Sequence, residues 1–250
     1  MKIIISPAKK MKVNTDAPGS LTEPVFLDRA QVLLGWLKSL SYAEAKSVWE
    51  CSDRIAEESY AGIRNISLHR GRTPAVLAYD GIQYTYMAPA VFEESHLAYI
   101  QEHLRILSGF YGALKPLDGV VPYRLEMKAK VRVSGCSNLY DFWGRRLYEE
   151  VRDESGIIIN LASKEYARCI EKYLQEDDRF ITCIFGEMDK GRVMQKGVYA
   201  KIARGEMVRF MAENKVTDPE ELKRFQTEGY SYKEGLSSED TYVFLKNDRA

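Results

Sequence analysis

The chain has 250 residues, 45% of them apolar, which is at the upper end of what one hydrophobic core supports, so a single domain spanning 1–250 is expected. Its 36 basic and 36 acidic residues cancel, which excludes attraction of a polyanion by the whole-molecule field; any nucleic-acid contact must come from a local patch. No run approaches the roughly 20 apolar residues that span a bilayer, and the three isoleucines before Ser6 are too few for a signal peptide, so a cytoplasmic protein without membrane contact is expected.

Lys2 to Ile5 predicts a short buried strand, because consecutive β-branched residues fit a pleated surface and Ser6-Pro7 stops it. A polar loop follows from Lys9 to Pro24. Between Val25 and Leu40, the residues Ala30, Leu33, Leu34 and Leu37 fall at i, i+3, i+4 and i+7 and share one helical face. Ser41 with Glu44 predicts a capping box opening a second helix through Trp49, and a third begins after Asp53.

Pro74 to Tyr79 reads as a compact apolar strand ended by the Asp80-Gly81 turn. Val91 to Leu107 reads as a helix closing at Ser108-Gly109. The two glycines and the proline of GFYGALKP, Gly109 to Pro116, then predict a tight hairpin between helical pieces. Ile157 to Asn160 and Arg179 to Phe185 predict strands around a helix from Ser163 to Leu174, one βαβ unit. Tyr199 to Lys215 is a strong helical pattern, Asp218 with Pro219 caps the next helix, and Thr241 to Lys246 is a last strand. Strands interleaved with helices predict an α/β or α+β domain.

Several chemistries are set aside. Cys51, Cys136, Cys169 and Cys183 form no pair at metal-ligand or dithiol spacing, and His69, His96 and His103 lack zinc-site spacing, so neither a metal nor another cofactor is expected. Walker A, G-x-G-x-x-G after a strand and G-x-S-x-G are all missing from the sequence.

The remaining candidates are cationic. Lys9 and Lys10 follow a strand directly, where a sheet holds a loop rigid, and read either as phosphate contacts or as a solvated charge run. Asp80 either serves as a general acid or base, or only closes a turn. Gly109 and Gly112 would either let a hairpin backbone approach phosphates or only form a helix-capping turn, with Lys115 just beyond and Arg124 offering a planar fork to a phosphate. On a helical wheel, Tyr199, Ala200, Ala203, Met207, Phe210 and Met211 fill one arc, leaving Lys201, Arg204 and Arg209 outside it. From Lys190 to Arg209, a stretch including Lys196, six basic residues face one acid, so the outward side is positive and reads either as a polyanion contact or as a solvated helix face.

Seven blocks, in order, carry a resemblance that runs nearly end to end: ISPAKKM (Ile5 to Met11), PAVLAYDGIQY (Pro74 to Tyr84), LRILSGFYGALKPLDGVVPYRLEM (Leu104 to Met127), LYDFWG (Leu139 to Gly144), INLASKEY (Ile159 to Tyr166), AKIARGEMVRF (Ala200 to Phe210) and GYSY (Gly229 to Tyr232). Through them the chain resembles the YaaA family of bacterial peroxide-stress proteins, departing from its AKKARG block by Ile202. The resemblance implies one α/β domain of unusual topology with a basic cleft and a helix-hairpin-helix-like element. It also implies DNA binding and a part in peroxide defence that limits free iron and Fenton damage. A monomer binding duplex, distorted or single-stranded DNA is therefore expected through Lys9, Lys10, Gly109, Gly112, Lys115, Arg124, Lys196, Lys201, Arg204 and Arg209. The alternative is an enzyme acting on a nucleobase or nucleotide, with Asp80, Lys9 and Lys201 as its catalytic candidates. A third possibility is regulation of iron handling through a protein partner.

Overall fold

The structure is a computed structural model and describes residues 1–14, 21–227 and 229–246. Residues 15–20 of the predicted polar loop lie outside these. The strands in chain order are β1 (Lys2–Ile5), β2 (Lys10–Met11), β3 (Thr73–Pro74), β4 (Tyr79–Asp80), β5 (Leu104–Ser108) and β6 (Gly112–Leu114), then β7 (Gly119–Val120), β8 (Ile157–Leu161), β9 (Arg179–Asp189), β10 (Arg192–Met194), β11 (Tyr230–Tyr232) and β12 (Thr241–Lys246). The helices are α1 (Leu27–Ser39), α2 (Tyr42–Trp49), α3 (Asp53–Asn65), α4 (Ala75–Ala78) and α5 (Ile82–Met87), followed by α6 (Glu94–His103), α7 (Leu139–Trp143), α8 (Arg146–Val151), α9 (Lys164–Glu171) and α10 (Gly197–Asn214).

One sheet organises the molecule in the order β11-β12-β9-β8-β1-β5-β6, with β10 hairpinned onto β9. From β12 to β5 all neighbours are parallel, and antiparallel β11 and β6 close the two edges. A parallel sheet needs apolar cover on both faces, and β1 meets that demand because Ile3, Ile4 and Ile5 are all fully buried. Helices α6 and α8 both pack on β1. The fold is thus α/β, as the interleaved sequence pattern requires. Among the described residues no helix is long and apolar enough to cross a membrane.

Local signals were accurate for α1, for the start of α2 and for the β8-α9-β9 unit. Ala30, Leu33, Leu34 and Leu37 are the buried face of α1, and the Ser41–Glu44 capping box is present, with the Ser41 N–H donating to Glu44 Oε2 at 2.8 Å. The β8-α9-β9 unit forms as predicted, and β9 continues to Asp189.

Five readings are corrected. Pro74 to Tyr79 is not a strand but the single helical turn α4 between two short strands, because the N–H groups of Ala75 and Val76 bond to the carbonyls of Asp118 and Pro116. The predicted helix from Val91 to Leu107 splits: α6 ends at His103, and LRILS enters the sheet beside β1 as the fully buried β5. A short run buried on both faces has no period that separates strand from helix. Consequently GFYG joins two strands, pairing Ser108 with Gly112, so the segment expected to be helix-hairpin-helix-like is a β-hairpin. Elsewhere the segment capped by Asp218 is a 3-10 helix, with Asp218 Oδ1 accepting from the Glu220 N–H at 2.9 Å, and Tyr199 is exposed rather than core.

Candidate site at the carboxyl edge of the sheet

From β1 the chain leaves toward β5, and from its neighbour β8 it leaves toward β9 on the opposite side. Adjacent parallel strands whose outgoing connections diverge leave a crevice beyond their carboxyl ends. A cavity of about 490 Å³ opens there, lined by the segment after β1 (Ser6 to Lys10) and by Ser163, Glu165 and Tyr166 after β8. The two segments are tied together across the gap. Ser6 Oγ donates to Ser163 Oγ at 3.2 Å and accepts from the Ser163 backbone N–H at 2.9 Å, while the Tyr84 hydroxyl donates to the Ser6 carbonyl at 2.9 Å.

With its hydroxyl engaged by Ser6, Ser163 caps no N–H of α9, so the first turn of that helix meets the crevice without a side-chain cap. Opposite it, α5 and α10 pack closely because Gly205 has no side chain. A Cβ there would lie 2.2 Å from the Gln83 carbonyl oxygen and 3.0 Å from the Met87 nitrogen. This contact brings Lys201 and Arg204 of α10 to the same crevice as Gln83 and Tyr84 of α5.

The crevice carries charge of both signs: the cations Lys9, Lys10, Arg124, Lys201 and Arg204, and the carboxylates Asp80, Glu126 and Glu165. Glu126 is engaged by Lys9 Nζ at 2.8 Å, and Arg124 Nη2 lies 4.0 Å from it. Glu165 Oε1 accepts from the Lys128 N–H at 3.2 Å. Asp80 is exposed and is the cross-strand partner of Lys10 in the β2–β4 pair. Lys10, Lys201 and Arg204 have no carboxylate within ion-pair distance among the described residues. Burial draws the Arg204 guanidinium down from its ordinary pKa.

Three fully buried nitrogens without a hydrogen-bond partner belong to residues lining this one cavity: Gln83 Nε2, Arg124 Nε and Arg204 Nε. Gln83 is only 7% exposed. A further wall is aromatic. Tyr123 is held by hydroxyl contacts to Ser108 at 2.6 Å and Tyr79 at 2.8 Å, and burial pushes its phenol up to about 12.

Five predicted residues are elsewhere. Gly109 and Gly112 are buried in the hairpin, where protein occupies the space expected for a phosphate: a Cβ on Gly109 would meet the Leu125 carbonyl at 2.6 Å, and Gly112, at φ +81°, faces Trp143, Leu147 and Phe26. Lys115 leaves antiparallel β6 and so emerges at the amino edge of the parallel strands, opposite the crevice. Lys196 pairs with Glu187 at 2.5 Å and Arg209 with Glu213 at 2.7 Å, both outside the cavity. Conversely, Ser6, Ser163, Gln83 and Gly205 were missed. The two serines had a readable signal, each lying just beyond a buried strand and ahead of a lysine, whereas nothing local marks Gln83. Among the described residues no three His, Cys, Asp or Glu side chains gather into a potential metal site.

Fold and crevice together define an α/β protein with a crevice at the switch point of a mostly parallel sheet. The sequence matches, over residues 1–236, the family described as peroxide stress protein YaaA, and the chain belongs to that family. It is 55% identical over 248 residues to a UPF0246 protein of Lachnoclostridium phytofermentans, covering 99% of this chain and 97% of the relative. It is 54% identical over 244 residues to one of Agathobacter rectalis, covering 98% of each. A third similar UPF0246 protein, from Pediococcus pentosaceus, is 52% identical over 248 residues, covering 99% of each.

Proposed function

We propose that the chain is a DNA-binding protein of the peroxide-stress response whose crevice cations contact phosphates. One observation carries the reading: Lys9, Lys10, Arg124, Lys201 and Arg204, from three distant segments, line a single crevice in a protein of zero net charge. Three of them, Lys10, Lys201 and Arg204, are left without a carboxylate partner among the described residues, and so keep their charge for a ligand. The peroxide setting comes from family membership. That binding limits iron-dependent Fenton damage, in the cytoplasm and by a monomer, is part of the proposal.

Anisotropy titrations of duplex, bubble and single-stranded DNA at several salt concentrations test it. Binding is expected to weaken as salt rises, and Lys10→Ala and Lys201→Ala each to reduce the log–log slope by about 0.9 on duplex. Lys196→Ala and Arg209→Ala are expected to leave it unchanged. Undetectable binding at low salt, or binding indifferent to salt, refutes the reading.

A second reading, an enzyme acting on a nucleobase or nucleotide, is favoured by the volume of the cavity and by Asp80, Lys9 and Lys201 along its lining. Abasic sites, strand breaks or a trapped covalent adduct after incubation with damaged-base DNA support it. DNA left intact argues for binding alone.

A further inference from the structure

We propose that the crevice between β1 and β8 is a receptacle for one nucleotide unit, its phosphate held by Arg204 and Arg124 at the start of α9 and its base in the tyrosine-lined remainder. The proposal rests on the DNA-binding reading for the case in which that nucleotide belongs to a strand.

The first argument is the set of unanswered donors. A buried N–H without an acceptor costs about 1–3 kcal/mol, and a buried cation without a counter-charge costs more, so folded proteins rarely leave either in place. Here the amide of Gln83 and the Nε atoms of Arg124 and Arg204 are all buried and unpartnered, and all three residues line one cavity. Arg204 in addition has no carboxylate near it among the described residues. Such a group calls for an oxygen-rich anion supplied from outside.

The second argument is independent of the side chains. Ser163 spends its hydroxyl on Ser6, which leaves the first turn of α9 uncapped where it meets the same cavity. Exposed N–H groups and the helix dipole together favour a phosphate. Of the carboxylates that would repel one, Glu126 is engaged by Lys9 and Glu165 by the Lys128 N–H, while the third, Asp80, is exposed to solvent.

Size and walls select among anions. About 490 Å³ is within the range of small-molecule sites and far exceeds the needs of inorganic phosphate. The rest of the lining includes Tyr84, Tyr123, Tyr166, Ile82 and Leu125, with Tyr123 fixed by its hydroxyl contacts. A phosphate joined to a flat ring system satisfies both halves. Two sources share that chemistry, a free nucleoside monophosphate and a nucleotide turned out of a duplex.

The test uses the full chain and two probes: free nucleoside monophosphates by calorimetry, and a duplex with one unpaired 2-aminopurine nucleotide, read by its fluorescence. Saturable binding of the free nucleotides assigns the mononucleotide source. A fluorescence change with the unpaired probe, absent from the fully paired duplex, assigns the strand source. Arg204→Met and Gln83→Leu should weaken whichever binding is seen by tenfold or more, with Lys196→Ala as the neutral control. Arg204→Met should also leave the thermal midpoint of the free protein equal or higher, since it removes a buried unpaired charge, whereas a merely structural arginine would lower it. If paired duplex binds but neither free nucleotide nor the unpaired base is taken up, this inference falls and DNA binding stands. If free nucleotide binds but no DNA does, the receptacle stands and the DNA reading falls. Retention of full affinity by Arg204→Met overturns the receptacle.

Discussion

Ser6 and Ser163 meet across the gap between β1 and β8, their hydroxyls 3.2 Å apart, with Ser6 Oγ also accepting the Ser163 N–H at 2.9 Å. Ser6 follows β1 and Ser163 follows β8 as the residue before α9, so the pair staples together the two segments that diverge to form the crevice. Ser6→Ala is expected to lower stability by about 1 kcal/mol, the usual effect of leaving a donor without its acceptor. Urea denaturation should show a lower midpoint with an unchanged slope. An unchanged midpoint would mean that the staple contributes nothing.

Gly205→Ala should be destabilising despite the better helix propensity of alanine, which favours it by about 1 kcal/mol. The new methyl meets backbone atoms of α5, which cannot rotate away, and overpacking of this kind costs about 1–3 kcal/mol. A net loss of roughly 1–2 kcal/mol is expected. A gain in thermal midpoint would show that α5 and α10 are free to separate.

Asp178 carries an acid-sensitive part of the stability. Its carboxylate is fully buried and accepts from the Tyr148 hydroxyl at 2.5 Å, Arg152 Nε at 2.7 Å and the Gln175 N–H at 2.8 Å. Burial alone would raise its pKa, but these donors outweigh it and hold the carboxyl below the ordinary aspartate value. Because the folded pKa lies below the unfolded one, near 3.9, the contribution is complete above pH ~4 and fades as pH falls through the folded value. Asp178→Asn should therefore cost about 2 kcal/mol at neutral pH. The difference from wild type should shrink in denaturation series taken below pH ~4.

Thiol reactivity should divide the cysteines in two. Burial pushes Cys169 and Cys183 up to about 12, so neither offers a thiolate at neutral pH, whereas Cys51 and Cys136 are half-buried. Brief iodoacetamide treatment of the native protein, read by peptide mass spectrometry, should modify Cys51 and Cys136 and spare the other two until urea is added. The same order is expected for hydrogen peroxide. Early labelling of Cys183 would show that the sheet beneath α10 opens readily.

The sequence by itself determined what is local. Three buried isoleucines in a row specify β1, the spacing from Ala30 to Leu37 specifies the inner face of α1, and the hydroxyl and carboxylate of Ser41 and Glu44 specify where α2 starts. The seven blocks were enough to indicate the family. Lys9, Lys10, Arg124, Lys201 and Arg204 were readable as cations on rigid elements, but periodicity reports burial and not partners. Tertiary structure alone decided that these five share a crevice while Lys115, Lys196 and Arg209 do not, because antiparallel β6 sends Lys115 to the other edge of the sheet, and Lys196 and Arg209 pair with Glu187 and Glu213 outside the cavity. It also decided that LRILS is a strand, since only the place beside β1 distinguishes it from a helix, and that Gln83 is left with an unanswered amide, a property set by every neighbour folding brings within reach.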